Sequence, residues 1–195
     1  MTFLSSPKGY TKQEFESFVH SLKWYTWRPK FITLHNCSEP SIKTWNEGYA
    51  KHGGSMDDYE LWRIHNLNSF YKAKCWHSGP HLFVSPNKIW NACDLTRDGV
   101  SVSCWNHLTI GVEMVGEFAT EDFNSGDGAK VRDLTIFALA VLHKALNITP
   151  LPYMVSTRGL HPHKACVRDH HDCPGKNVDM DWVRKAVIDE IKELV

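Results

Sequence analysis

A segment rich in histidine and cysteine, just before the last predicted helix, constrains this chain more than any other feature. Residues 161–173 hold four histidines and two cysteines, and imidazole and thiolate are preferred ligands of zinc. A structural zinc site closes with four protein ligands, commonly from CxxC pairs, and this segment has no such pair. A catalytic zinc needs three protein ligands and one open position. Two ligands from this segment and one from a distant strand end, such as His35, would meet that need.

Composition narrows the class of protein. A length of 195 residues suits one compact domain, with 42% apolar and 23% charged residues as in ordinary globular proteins. The formal net charge is zero, so no global field favours nucleic acid or an anionic membrane. The first ten residues lack the pattern of a signal peptide, and no apolar run has transmembrane length. We therefore expect synthesis in the cytoplasm without a signal peptide, and six cysteines that stay reduced.

Hydrophobic periodicity predicts an alternation of strands and helices. Helices are expected from the Thr11–Glu14 capping box to about Leu22, and over residues 41–51, 55–72, 128–145 and 179–194. Strands are expected over residues 31–35, 81–84, 89–90 and 109–115. This order predicts one α/β domain: a central mixed sheet with helices on both faces and a zinc cleft at one sheet edge. Within this single domain, residues 1–27 are expected to be a helical extension packed on the rest.

Glu113 is the unusual residue of the strand predicted at 109–115. Strand alternation places it opposite Ile110, Val112 and Met114, beside Gly111. A carboxylate on an otherwise apolar strand must be paired with a cation or take part in catalysis, because burying a bare charge is costly. A salt bridge to a neighbouring lysine or arginine is the structural alternative to a catalytic role.

Four segments together resemble one family. They are RPKFITLHN at residues 28–36, GPHLFV at 79–84, WNHLTIGVEMVG at 105–116 and HKACVRDHHDCPGK at 163–176. In this order they are similar to the zinc-dependent N-acetylmuramoyl-L-alanine amidases, which include bacteriophage lysozyme-type amidases, endolysins and peptidoglycan recognition proteins. The resemblance implies an endolysin-like, bacteriolytic hydrolase that cleaves the amide bond between N-acetylmuramic acid and L-alanine in peptidoglycan.

The resemblance also implies a role for individual residues. His35, His163 and Cys173 would bind one Zn²⁺ per chain. Glu113 would take a proton from the attacking water and deliver it to the leaving nitrogen, while His171 would donate a hydrogen bond to the oxyanion. Substrate contacts are expected from His81, Trp76, Trp105, Asn106 and Arg158.

Two positions depart from the family pattern. Many relatives have a tyrosine where this chain has Pro80, so that hydroxyl is absent and Glu113 is expected to carry more of the acid–base work. Relatives often have a histidine near Ser101, and this chain has none. The absence of this histidine affects the expected substrate contacts more than the expected type of reaction.

Several alternatives stay open on the sequence alone. The chain is either a wall-degrading enzyme that reaches peptidoglycan in the periplasm after release or delivery, or an amidase that recycles muropeptides in the cytosol. A non-catalytic peptidoglycan-binding module and a closed structural zinc site are the other readings. The expected partner is peptidoglycan or a muropeptide, with no nucleic acid and no membrane, and the chain is expected to be a monomer.

Overall fold

The computed structural model describes residues 3–25, 27–152 and 158–194. Six strands form one mixed sheet: β1 (Phe3–Tyr10), β2 (Phe31–Asn36), β3 (Leu82–Val84), β4 (Ile89–Cys93), β5 (Thr109–Met114) and β6 (Leu160–Pro162). The strand order across the sheet is β1-β4-β3-β5-β2-β6. Strands β3, β5, β2 and β6 run parallel to one another, whereas β4 pairs antiparallel with both β1 and β3. The prediction of an α/β domain with a mixed sheet is confirmed.

Five α-helices accompany the sheet: α1 (Lys12–Ser21), α2 (Ile42–His52), α3 (Met56–Ala73), α4 (Gly126–Leu146) and α5 (Met180–Glu193). The helix starts follow the capping signals in the sequence. Thr11 forms a full capping box with Glu14 before α1, and the side chains of Ser41 and Ser55 accept backbone N–H groups at the starts of α2 and α3. In the described part of the chain, none of the helices has the length and apolarity to span a bilayer.

The two faces of the sheet are covered differently. On one face, apolar side chains of β2, β3 and β5 pack with α1, α4 and α5 in the main core, which includes Ile32, Leu34, Val112 and Met114. On the other face, Ile64 of α3 packs against Phe83, Trp90 and Ala92. Helix α3 therefore covers the β3–β4 side of that face, and His35 of β2 and Glu113 of β5 line a cavity beside it.

The N-terminal segment differs from the helical extension expected over residues 1–27. Phe3–Tyr10 forms β1, which pairs antiparallel with β4 at one edge of the sheet, and only then does α1 begin. A register shift between Phe3 and Lys8 interrupts the ladder, and this stretch has no regular apolar alternation. Its strand conformation depends on pairing with β4 rather than on a local pattern.

Two cysteines correct the expectation that all six thiols are reduced. Cys104 and Cys166 form a disulfide across 62 residues of sequence, while Cys37, Cys75, Cys93 and Cys173 are not disulfide-bonded. The bond joins the loop before β5 to the loop after β6. Sequence spacing did not reveal this pair, because only the tertiary fold brings the two loops together.

Candidate metal centre

The metal centre lies where β2 meets the chain that follows β6. His35 is near the end of β2, and His163 opens the single 3₁₀ turn that follows edge strand β6. Cys173 returns to the same place through hydrogen bonds with β2 and the 3₁₀ turn: the Asn36 N–H donates to Cys173 Sγ (3.3 Å), and the Lys164 N–H donates to the Cys173 carbonyl (2.9 Å). The predicted strand end and histidine-rich segment thus meet at one sheet edge.

The three side chains fit a metal ion in number, type and position. One ligand atom each from His35, His163 and Cys173 lies within 4.8 Å of the others. The Nε2 atom of His35 is buried and has no hydrogen-bond partner, which is costly for a polar atom unless something binds it. Two imidazoles and one thiolate form a common donor set for a catalytic zinc ion and leave one position open.

Burial sets the protonation of these ligands. It lowers the pKa of His35 far below the usual range and also lowers the pKa of His163, so both rings are neutral and have a lone pair to offer. It raises the pKa of the Cys173 thiol. A bound cation favours the thiolate, so metal binding is coupled to loss of the thiol proton.

Asp169 orients the second histidine ligand. His163 Nε2 lies 2.9 Å from Asp169 Oδ2, so an Nε2–H donor leaves Nδ1 of that ring for the metal. The Ser103 N–H donates to Asp169 (3.1 Å), and the Ser103 hydroxyl donates to the same carboxylate. Residue 103 adjoins Cys104, so the disulfide joins the same two loops. Sequence reasoning missed Asp169, although a carboxylate six residues after a candidate ligand is a detectable signal.

Glu113 lies beside the triad on the same face of the sheet. It is the register partner of His35 in the parallel pairing of β2 and β5, and its exposed fraction is 8%. Burial raises its pKa to about 8, and a hydrogen bond from Tyr71 Oη to Glu113 Oε2 (3.2 Å) opposes that shift. A carboxyl group whose pKa lies near neutrality is suited to accepting and returning a proton.

Tyr71 brings a phenol to the site from an unexpected element. It belongs to α3, where its ring stacks on Trp76 (centroids 5.3 Å apart) and lies against Phe83. Because the hydroxyl at position 80 is absent, the sequence predicted that Glu113 would carry more of the acid–base work. Helix α3 supplies such a hydroxyl, and no local pattern could show that this helix face would meet β5.

A cavity of about 440 Å³ contains these groups. His35, His163, Cys173, Glu113 and Tyr71 all line it, and we call it the metal pocket. Its wall also includes His171, Trp76, Pro80, Ser101, Phe70 and Lys74. The ring of His171 stacks on that of His163 (centroids 4.6 Å apart), and Trp76 is 38% exposed. The proposed oxyanion donor and one of the proposed substrate contacts therefore face the same space as the triad.

The other four predicted substrate contacts do not line this pocket. His81 is fully buried, and its ring nitrogens contact the Gly111 N–H and the Arg97 carbonyl. Asn106 Oδ1 accepts the backbone N–H groups of Ser101 and Val102. The remaining two are also placed elsewhere: Trp105 packs edge-on against Phe31, and Arg158 is an exposed loop residue. His81, Trp105 and Asn106 thus contact other groups of the protein and do not line the metal pocket, and their contact with substrate stays a prediction.

Comparison with known proteins shows a structural similarity to solved amidases. No family model and no curated relative matches the sequence. Among solved structures, the endolysin N-acetylmuramoyl-L-alanine amidase LysCS from Clostridium intestinale is similar at a TM-score of 0.60 and 16% identity, with 83% of this chain and 85% of that chain covered. The chain has the fold of the N-acetylmuramoyl-L-alanine amidases.

Two further structures support this amidase fold. A mutant endolysin from Bacillus subtilis matches at a TM-score of 0.54 and 21% identity, covering 84% of this chain and 88% of that one. Drosophila PGRP-LB matches at a TM-score of 0.58 and 14% identity, with 80% of this chain and 81% of that chain covered. The coverage extends over most of each chain.

Proposed function

We propose that this chain is a zinc-dependent N-acetylmuramoyl-L-alanine amidase that cleaves the amide bond between N-acetylmuramic acid and L-alanine in peptidoglycan. One observation carries the proposal. A His–His–Cys triad with an orphaned buried nitrogen shares one cavity with a buried glutamate whose pKa is near neutrality. The fold shared with an endolysin amidase supports the same reaction.

His35, His163 and Cys173 would hold a single zinc ion. When bound, zinc would polarise the scissile carbonyl and activate water for attack. Asp169 holds the His163 ring in the tautomer that ligation needs. His171, stacked on that ring, is our candidate donor to the developing oxyanion.

Glu113 would move the proton. As a carboxylate it accepts the proton of the attacking water, and as the acid it delivers that proton to the leaving nitrogen of L-alanine. Tyr71 donates a hydrogen bond to the same carboxylate and so holds it toward the pocket. Its ring is fixed between Trp76 and Phe83, which limits the freedom of the donor.

The substrate would be peptidoglycan or a muropeptide, with Trp76 at the pocket wall as a surface for stacking on sugar or peptide. We propose a monomer whose target is neither nucleic acid nor membrane. The enzyme would act on wall peptidoglycan after release or delivery to the periplasm. Recycling of muropeptides in the cytosol is the alternative context for the same chemistry.

The proposal can be tested with two variants on a soluble muramyl peptide. Glu113→Gln should keep one zinc per chain and lose turnover by about a hundredfold or more, because the proton acceptor is gone. Cys173→Ser should lose zinc and activity together. Full turnover in the glutamine variant would remove Glu113 from the mechanism. A wild-type chain that binds the muramyl peptide and zinc but cleaves nothing would point to a binding module instead.

A further inference from the structure

The Cys104–Cys166 disulfide is joined to the metal centre through one short stretch of chain. Cys166 stands three residues after the ligand His163 and three residues before Asp169. Two backbone hydrogen bonds fold this stretch: the Cys166 N–H donates to the His163 carbonyl (2.9 Å), and the Asp169 N–H donates to the Cys166 carbonyl (3.3 Å). We call residues 163–169 the ligand turn. The disulfide fixes this turn at its midpoint.

The other half of the disulfide belongs to a folded loop that leads into β5. Asn106 Oδ1 accepts the N–H groups of Ser101 and Val102 (2.8 Å each), and the Trp105 N–H donates to the Val102 carbonyl (3.0 Å). Cys104 lies inside this hydrogen-bonded loop. The disulfide therefore attaches the ligand turn to a loop whose position is set by the central sheet.

Ser103 joins the same two loops by hydrogen bonds. Its backbone N–H donates to Asp169 Oδ2 (3.1 Å), its hydroxyl donates to Asp169 Oδ1, and its Oγ atom lies 3.7 Å from Cys166 Sγ. Asp169 Oδ2 in turn lies 2.9 Å from His163 Nε2. The carboxylate that orients a metal ligand is therefore held by the residue that precedes Cys104 and contacts Cys166.

The covalent bond matters because the hydrogen bonds beside it are exposed. Ser103 is an exposed residue, and water competes with an exposed hydrogen bond to a carboxylate. Cys166, by contrast, is 1% exposed. The disulfide therefore keeps Ser103 within reach of Asp169 when these hydrogen bonds open.

We infer that the Cys104–Cys166 disulfide makes zinc binding depend on the redox state of the chain, because it holds Asp169 where that carboxylate orients His163. Two molecules of a small thiol reduce the bond: the S–S bond breaks, two electrons and two protons pass to Cys104 and Cys166, and the two reductant sulfurs join in a disulfide. Cys104 is partly exposed, which gives a small reductant access. The released ligand turn then holds Asp169 less firmly and zinc more weakly.

This inference rests on the zinc site of the proposed function and not on the bond that the enzyme cuts. It predicts a chain that retains zinc in an oxidising compartment and loses it more readily where thiols keep cysteines reduced. Of the two proposed contexts, it favours action on peptidoglycan outside the cytosol.

The test measures the dissociation constant of zinc for the full-length chain by competition with a chromophoric chelator. A phosphine serves as reductant, because added thiols bind zinc; its phosphorus takes the oxygen of one water molecule and the two sulfurs take the protons. Reduction should weaken zinc binding by about tenfold, as for loss of a group that orients a metal ligand. Cys104→Ser/Cys166→Ser should bind zinc as weakly as the reduced wild type and should not respond to the phosphine.

A further variant tests whether the effect passes through Asp169. Asp169→Ala should weaken zinc binding in the oxidised chain by about tenfold to a hundredfold. Reduction of this variant should change the dissociation constant by less than about twofold, because effects that share one path are not additive. A tenfold effect of reduction that persists in Asp169→Ala would overturn the inference.

Ser103→Ala keeps the disulfide and removes one donor to Asp169, so it tests the same path even if the double cysteine variant does not fold. Its zinc binding should be weaker by about threefold to tenfold, and an unchanged constant would overturn the inference. Cys75→Ser is the control, since Cys75 is exposed and not disulfide-bonded. This variant should keep both the zinc affinity and its response to the phosphine; a lost response would overturn the inference.

Zinc binding and peptidoglycan digestion together separate this inference from the proposed function. Zinc binding that depends on the disulfide, without cleavage, would support the inference and contradict the amidase. Cleavage by a chain whose zinc affinity is unchanged on reduction would support the amidase and overturn the inference. Absence of zinc binding in both redox states would overturn both.

Discussion

At the residue scale, the raised pKa of Glu113 suits proton transfer but lowers the stability of the folded chain above the ordinary pKa of a glutamate. The pKa of its carboxyl group is raised from 4.5 to about 8 by burial, despite the hydrogen bond from Tyr71. Between these two pH values the unfolded chain has released this proton while the folded chain retains it. The raised pKa therefore makes the free energy of unfolding fall as pH increases through this window.

Replacing Glu113 by glutamine should therefore stabilise the zinc-free protein at pH 8 and give no such gain at pH 4. The expected gain is on the order of a few kcal/mol, because glutamine has no proton to lose. Urea unfolding at both pH values measures it. Glu47→Gln, which changes an exposed carboxylate, serves as the control. An equal effect of Glu113→Gln at pH 4 and pH 8 would contradict the raised pKa.

Tyr71 acts on the same carboxyl group. Its hydrogen bond lowers the pKa of Glu113, so Tyr71→Phe should raise that pKa and move the acidic limb of the kcat/KM profile to higher pH. We expect kcat to fall by about tenfold to a hundredfold while zinc content stays the same. Tyr49→Phe, a ring that packs on Tyr59 outside the metal pocket, should change neither quantity. A lower rate with an unshifted profile would argue against this role.

At the scale of elements, α3 links the core to the metal pocket. Glu60 attaches this helix to the β3–β4 hairpin: its buried carboxylate accepts hydrogen bonds from Ser85 Oγ (2.7 Å), Trp90 Nε1 (2.9 Å) and Asn87 Nδ2 (2.9 Å). The same helix then carries Tyr71 to Glu113. The position of the phenol therefore depends on an anchor about three helical turns away.

Removing that anchor should affect stability and activity together. Glu60→Ala leaves the buried indole N–H of Trp90 and the side-chain amide of Asn87 without this acceptor, whereas the Ser85 hydroxyl keeps the Lys88 carbonyl. We expect a loss of about 2–4 kcal/mol in the free energy of unfolding. Turnover should also fall at temperatures where the variant remains folded, because α3 no longer holds Tyr71 in place. Denaturant titration and a low-temperature assay measure the two effects, with Glu47→Ala as the control. A loss below about 0.5 kcal/mol would show that Glu60 does not anchor α3.

The elements that were predicted correctly are those with a local signal. Capping residues marked the starts of α1 and α3, and apolar alternation marked β2 and β5. Strands β1 and β6 were missed because each depends on pairing with a partner far along the chain. In β6, the short run of Leu160, His161 and Pro162 does not resemble a strand, yet β6 pairs in parallel with β2.

At the scale of the whole molecule, the site was only partly predictable for the same reason. His35, His163, Cys173 and Glu113 stand in recognisable motifs, and the fold brings them together. Tyr71 and the Cys104–Cys166 disulfide depend on which surfaces meet after folding, and sequence spacing carries no such information. His81 also belongs to one of these motifs, but its ring accepts the Gly111 N–H and so joins the start of β3 to β5.

The central claim concerns one bond in a polymer, so the most direct test identifies the bond that is cut. Purified peptidoglycan is digested by the zinc-loaded chain, by a chelated sample and by that sample after zinc is restored, and mass spectrometry identifies the fragments. We predict free stem peptides with L-alanine at the amino terminus, lost on chelation and recovered with zinc. Intact peptidoglycan after digestion by a fully zinc-loaded chain, or cleavage at any other bond, would contradict it.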